Sequence, residues 1–196
     1  MNINKWLSFE KISFMSISAE TMYKVLQVFV WLIFVGLCIQ AGGFLFNLVY
    51  VLFINAGGAA NFWEGMDLSM LYGFDKGYFV VITGLMVLMA VLKALIFFQI
   101  INGFVKKKFT LDRPFTGVMV EFISTTAFLS LAIGILARIG GKIVTHLQKQ
   151  GITIPDSKQL TIDGADVWIF MGVLLWLSVK IFRKGMELQA ENDLIV

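Results

Sequence analysis

The chain has 196 residues, 58% of them hydrophobic and 15% charged, whereas soluble globular domains run near about 45–50% apolar and about 25% charged; this is the composition of a protein that sits in lipid. Sixteen Lys and Arg against thirteen Asp and Glu leave a formal charge of +3, and the basic residues lie between or beside the apolar runs, which argues against direct nucleic-acid binding. The single Cys, Cys38, cannot close an intrachain disulfide and the single His, His146, cannot build a histidine metal cluster, so no cofactor or metal is expected.

Residues 1–21 are polar and mixed. They lack the basic stretch, short apolar core and small-residue cleavage site of a secretory leader, and are read as a cytoplasmic tail. Trp6, Phe9, Ile12 and Phe14 recur about once per helical turn among Lys5, Glu10 and Lys11. That pattern suits an interfacial helix lying along the bilayer, and equally a tail whose aromatic residues pack on the bundle.

Residues 22–182 form the membrane domain. Four apolar runs predict transmembrane helices over residues 25–54, 79–101, 117–137 and 165–181, an all-α membrane protein with a long first helix. Thirty helical residues extend about 45 Å against a hydrocarbon core of about 30 Å. The first run therefore either tilts and projects or bends where Ala41, Gly42 and Gly43 weaken the ladder. The fourth run is short, and Asp166 and Lys180 at its ends reach the headgroups.

Between the first two spans, residues 55–77 mix Gly57, Gly58, Gly65 and Gly73 with Glu64, Asp67, Asp75 and Lys76. Trp63, Met66, Leu68, Met70, Leu71 and Tyr72 are too apolar for a freely solvated loop, so a structural cap over the helix ends is favoured over a ligand-binding lid. Beyond the third span, Arg138, Lys142 and His146 recur every four residues and share one face of a helical continuation that ends before Gly151. Next, Ile152, Thr153 and Ile154 are separated by a polar turn from Leu160, Thr161 and Ile162. This suits a short extracellular hairpin, marginal unless packed on the bundle.

An even number of crossings leaves both termini on one side. Lys5, Lys11, Lys24, the run Lys106, Lys107 and Lys108, Arg113, Lys180, Arg183 and Lys184 fall on that side, against Lys76, Arg138, Lys142, Lys149 and Lys158 on the other. The positive-inside rule makes the termini side cytoplasmic. Contact with anionic headgroups already accounts for the lysine triplet.

Inside the spans, Lys93 and Glu121 form the candidate intramembrane polar pair, because a charge at depth needs water or a partner. Measured from Ile101 and Gly117 as helix ends, they lie about 12 Å and about 6 Å deep, an offset that long side chains can bridge. Structural pairing is favoured over a proton or ion pathway, for which Thr83, Gln99, Ser124, Thr125, Thr126 and Ser130 would be further stations. Their hydroxyls can equally bond to preceding carbonyls.

The segment Leu188, Gln189, Ala190, Glu191, Asn192, Asp193, Leu194, with the Pro114, Phe115 step before the third span, resembles a bacterial membrane family, the domain-of-unknown-function family numbered 2975. The resemblance covers most of residues 20–196, although the first span and outer loops are longer here. It implies four spans in a bacterial cytoplasmic (inner) membrane. It also implies a partner, since members often occur beside small helix-turn-helix transcription regulators.

In residues 183–196, the cytoplasmic C-terminal segment, the local chemistry permits such docking. With Phe182, Met186 and Leu188 form an apolar surface, Arg183 and Lys184 face headgroups, and Glu187, Glu191 and Asp193 make an acidic tip. An interfacial helix with an ordinary solvated end reads at least as directly. The leading expectation is a non-enzymatic regulatory or scaffold protein whose docking surface comprises Lys106, Lys107, Lys108, Arg113, Arg183, Lys184, Glu187, Glu191 and Asp193. The alternative is a small-molecule or ion transporter working around Lys93 and Glu121. No compact set of nucleophile, base and electrophile points to an enzyme. Membrane lipids are the general partners. Ala127, Leu131 and Gly134 make no strict small-residue series, so homo-oligomerisation is not read from the sequence.

Overall fold

The computed structural model describes residues 19–105 and 115–193, with side chains over 21–105 and 115–191. Four long helices carry the fold: α1 (Ala19–Phe53), α3 (Lys76–Val105), α4 (Gly117–Lys149) and α5 (Ala165–Asp193). A 3-10 turn (Ala56–Asn61) and the short helix α2 (Ser69–Phe74) lie between α1 and α3. Each long helix holds an apolar stretch sufficient to cross a bilayer, and a helix satisfies its own backbone groups where no water can. The protein is an all-α, multi-pass membrane protein.

All four helices extend beyond the apolar runs that reveal them. Helix α1 has 35 residues, about 52 Å by helical rise, and continues through Ala41, Gly42 and Gly43 without interruption. Its excess length is therefore taken up without a break. The close-approach role falls to Gly43, where a methyl group would overlap the Trp63 ring. Helix α4 runs through Arg138, Lys142 and His146 to Lys149, as their four-residue spacing predicts.

The long helices stand in a row instead of closing into a bundle: α1 packs on α3, α3 on α4 and α4 on α5, while the backbones of α1 and α5 approach no other long helix. The two outer helices leave large apolar side chains exposed, including Phe29, Leu32 and Phe46 on α1 and Val167, Phe170 and Trp176 on α5. These are surfaces for lipid. Because lipid tails are as apolar as leucine, close packing has to hold the helices together. At the α4–α5 contact a Cβ on Gly134 would lie 2.9 Å from the backbone nitrogen of Ile169, and one on Gly172 would lie 3.0 Å from that of Leu131. Gly134 thus serves a contact within the chain, paired with a glycine that no sequence spacing connects to it.

Local chemistry starts and stops the elements. Asp75 accepts from the Tyr78 N–H at 2.9 Å at the start of α3, and Thr116 caps α4 through Met119 N at 3.3 Å. Helix α4 is closed just past its end by Gly151, whose φ of 82° is left-handed, with the Ile152 N–H returning to the Leu147 carbonyl at 3.2 Å, a Schellman closure. Asp166 in the first turn of α5 complements the helix dipole.

The core lies toward the end away from the termini. Phe44, Phe62, Leu71, Phe79, Met86, Ile133, Leu147, Leu160 and Ile162 are all fully shielded there. Residues 55–75 fold over this end as a cap: Phe62 meets Phe44 and Phe79 with ring centroids 6.4 and 5.8 Å apart, and Tyr72 meets Phe79 at 5.2 Å.

The expected hairpin over residues 152–162 does not form. Among the described residues there is no strand; turn bonds run instead from Leu160 N to Asp156 O, Thr161 N to Lys158 O and Ile162 N to Ser157 O, each at 3.0 Å. The apolar residues that suggested two strands are buried by inward packing, with Ile154, Leu160 and Ile162 entering the core. Gly140 on α4 leaves room for Ile162. Joining the core satisfies these side chains better than an isolated two-stranded ribbon could.

Candidate functional site

Three regions bear on function: the termini-side end of α5, the polar side chains within the spans, and a cavity on the opposite side. At the first, Phe115 lies just before α4 and meets Phe182 edge-on, centroids 5.4 Å apart. It also packs so closely on Gly185 that a Cβ there would lie 2.6 Å from its ring. These contacts brace α5 as it passes the end of α4. Beyond them Lys184 bonds to Glu187 at 2.9 Å, a pair open to solvent whose contribution to stability is small. Arg183, Lys184, Glu187 and Glu191 are exposed. Lys106, Lys107, Lys108 and Arg113 lie outside the described residues, as do residues 1–18 with the tail expected there; Asp193 ends α5, and its side chain is not among those described.

Lys93 and Glu121 do not meet. Leu85 lies against Gly140, while Gln99, Asn102 and Gly103 share a cleft of about 320 Å³ with Glu121, Phe122 and Thr125. This antiparallel register sets Glu121 level with residues 102–104 of α3, about ten residues or about 15 Å from Lys93 along the axis. Taking Ile101 as the end of α3 underestimates that offset, because the helix continues to Val105. Lys93 turns instead toward the loop between α4 and α5. Its ammonium donates to the Thr161 carbonyl at 3.2 Å and stands 5.9 Å from the centre of the Trp168 ring, the outer range of a cation–π contact.

Four of the hydroxyls considered as further stations are engaged with their own helices. Thr83 donates to Phe79 O at 2.6 Å, Thr125 to Glu121 O at 2.9 Å, Thr126 to Phe122 O at 2.8 Å and Ser130 to Thr126 O at 2.8 Å. Such back-bonding satisfies a hydroxyl in lipid without any partner helix.

At the opposite end, the cap and the α4–α5 loop face each other across a cavity of about 600 Å³. Gln40 of α1, Trp63, Glu64, Asp67 and Met70 of the cap, and Gln159 and Thr161 of the loop are among its walls. Asp67 accepts from the Ser69 N–H at 2.8 Å. The Ser69 side chain and this backbone bond hold its carboxyl below the usual aspartate range. No family model, curated protein or solved structure matches the chain. The assignment of a site therefore rests on these geometries alone.

Sequence reasoning missed the cavity because its walls come from α1, the cap and a loop that lies far beyond both in the chain. The apolar excess of residues 55–77 was the one available signal, and it reports the cap's packing more directly than the space beside it.

A basic cleft of about 580 Å³ lies on the other side of the α4–α5 loop. Arg138, Lys142, His146 and Lys149 all line it, so their common helical face is oriented as the spacing predicts. Arg138 spans to Asp166 at 3.2 Å and ties α4 to the start of α5. Both side chains are largely exposed, which limits this tie to a weak one.

Proposed function

We propose that this membrane protein is a non-enzymatic regulatory or scaffold protein that docks a small, basic helix-turn-helix regulator on its cytoplasmic face. The observation that carries the reading is the course of α5, which leaves its apolar stretch without a break and reaches Asp193 braced by Phe115. Glu187 and Glu191 are therefore presented on an ordered helix, so a partner binds without first having to order the segment. The basic residues concentrated on the termini side favour a cytoplasmic location for this helix. The resemblance of its final residues to family 2975 favours a transcription regulator as the partner and a bacterial inner membrane as the setting.

The test is crosslinking in native membranes followed by co-purification, with an unrelated four-span protein as control. The wild-type chain is expected to retain one small DNA-binding protein, and Glu187→Lys with Glu191→Lys to release it. Undiminished capture by the doubly substituted protein, or capture by the control, would count against this site.

A further inference from the structure

We propose that the cavity between the cap and the α4–α5 loop binds a small organic cation: an ammonium group carried on an apolar body. At about 600 Å³ it falls in the range of small-molecule sites. Among the described residues its lining holds two carboxylates, Glu64 and Asp67, and no Lys, Arg or His. Trp63, Met66 and Met70 stand beside them, an aromatic face suited to a cation and two adaptable thioethers suited to an apolar body. A bare divalent ion is a poorer match, because calcium takes about six or more oxygen ligands in place of aromatic and thioether groups.

The walls are built rather than incidental. Trp63 rests on the backbone of α1 at Gly43 and meets Phe44 edge-on at 5.6 Å, so its ring has little freedom to fill the space. Across the cavity, Thr161 is held by Lys93 through the bond to its carbonyl. Lys93 stands behind that wall, and its ammonium is committed to Thr161. Glu64 and Thr161, at φ 49° and 57°, are the non-glycine residues with left-handed backbones among those described, and both line the cavity. A β-branched residue in this region is strained, so the surrounding contacts must hold the loop in this shape.

The site lies at the end away from α5's terminus, and the inference does not depend on regulator docking. The full-length protein in nanodiscs of zwitterionic lipid is titrated calorimetrically with 2-phenylethylammonium, and with phenylacetate and 2-phenylethanol as the anionic and neutral analogues; empty nanodiscs provide the baseline. The expected result is saturable binding of the ammonium compound alone. Glu64→Gln, at an exposed position, should weaken it about tenfold, the effect of losing one charge-assisted hydrogen bond. Asp67→Asn keeps an acceptor for Ser69 and should weaken it similarly, while Trp63→Leu tests the aromatic wall. Comparable binding of all three compounds, absence of saturable ammonium binding, or unchanged affinity in the Glu64→Gln, Asp67→Asn double variant would overturn the proposal. Regulator capture by the same variants, which should be unaffected, separates this outcome from failure of the docking reading.

Discussion

The ammonium of Lys93 and the main-chain carbonyl of Thr161 meet at 3.2 Å, joining the middle of α3 to a loop 68 residues further along the chain. This contact explains how a lysine within an apolar helix is accommodated. It satisfies a carbonyl that belongs to a strained residue, and the neighbouring Trp168 ring shields the ammonium. Lys93→Met should leave that carbonyl unpaired and free the turn while the helices stay packed. A hydrogen bond to a charged group contributes about 1.5–3 kcal/mol, so amide exchange near residues 158–164 should quicken by about tenfold or more, with little change across α3. Unchanged protection of the loop would show that the contact does not restrain it.

The four spans were legible because lipid imposes one requirement on every residue of a crossing helix, which any run of apolar side chains displays. The partner of Lys93 was not legible. Glu121 was the natural choice by charge, but the structure uses a backbone carbonyl, and carbonyls are present at every position. The same limit applies to Ile154, Leu160 and Ile162: their spacing records burial, and in a short segment burial beneath a turn leaves the same trace as a strand. The row of helices was equally hidden, since it depends on where Gly134 and Gly172 meet and neither residue alone marks a contact.

The α4–α5 contact should be intolerant of a single methyl group. At Gly134 a new Cβ would lie 2.6 Å from Ile169 Cγ1 and 2.9 Å from a backbone nitrogen. Backbone has no alternative rotamer. Gly134→Ala is expected to lower stability by about 1–3 kcal/mol through overpacking. Gly36→Ala on α1, where nothing lies within 4 Å, should be neutral or stabilising by up to about 1 kcal/mol, the gain in helix propensity. Unfolding in mixed micelles compares the two; equal effects would show that α4 and α5 are not interlocked at this position.

Acid should loosen the start of α2. Asp67 is held below its ordinary pKa by Ser69, so its stabilising contribution is present above the unfolded value, about 3.9, and is lost as pH falls through the lower folded value. The Ser69 amide resonance, followed by NMR from neutral pH downward, should titrate with a midpoint below that of free aspartate. Asp67→Ala should abolish this titration. A midpoint at or above the ordinary value would mean that the bond seen at 2.8 Å is not maintained in solution.

At the other end of the molecule, Gly185 determines whether the final turns of α5 remain seated. Phe115 occupies the space a side chain would need, with its ring 2.6 Å from an added Cβ, and the same ring supports Phe182. Gly185→Val must displace Phe115 or tilt the helix away; either movement removes the brace while keeping every charge from Arg183 to Glu191. A spin label at Leu188, an exposed position, should then show faster motion than in the parent protein. Phe115→Ala should have a similar effect by removing the ring itself. If docking depends on an ordered acidic helix, both variants should bind the regulator more weakly although their surface charge is unaltered. Weakened binding with an immobile label would instead place the partner on Phe115 directly.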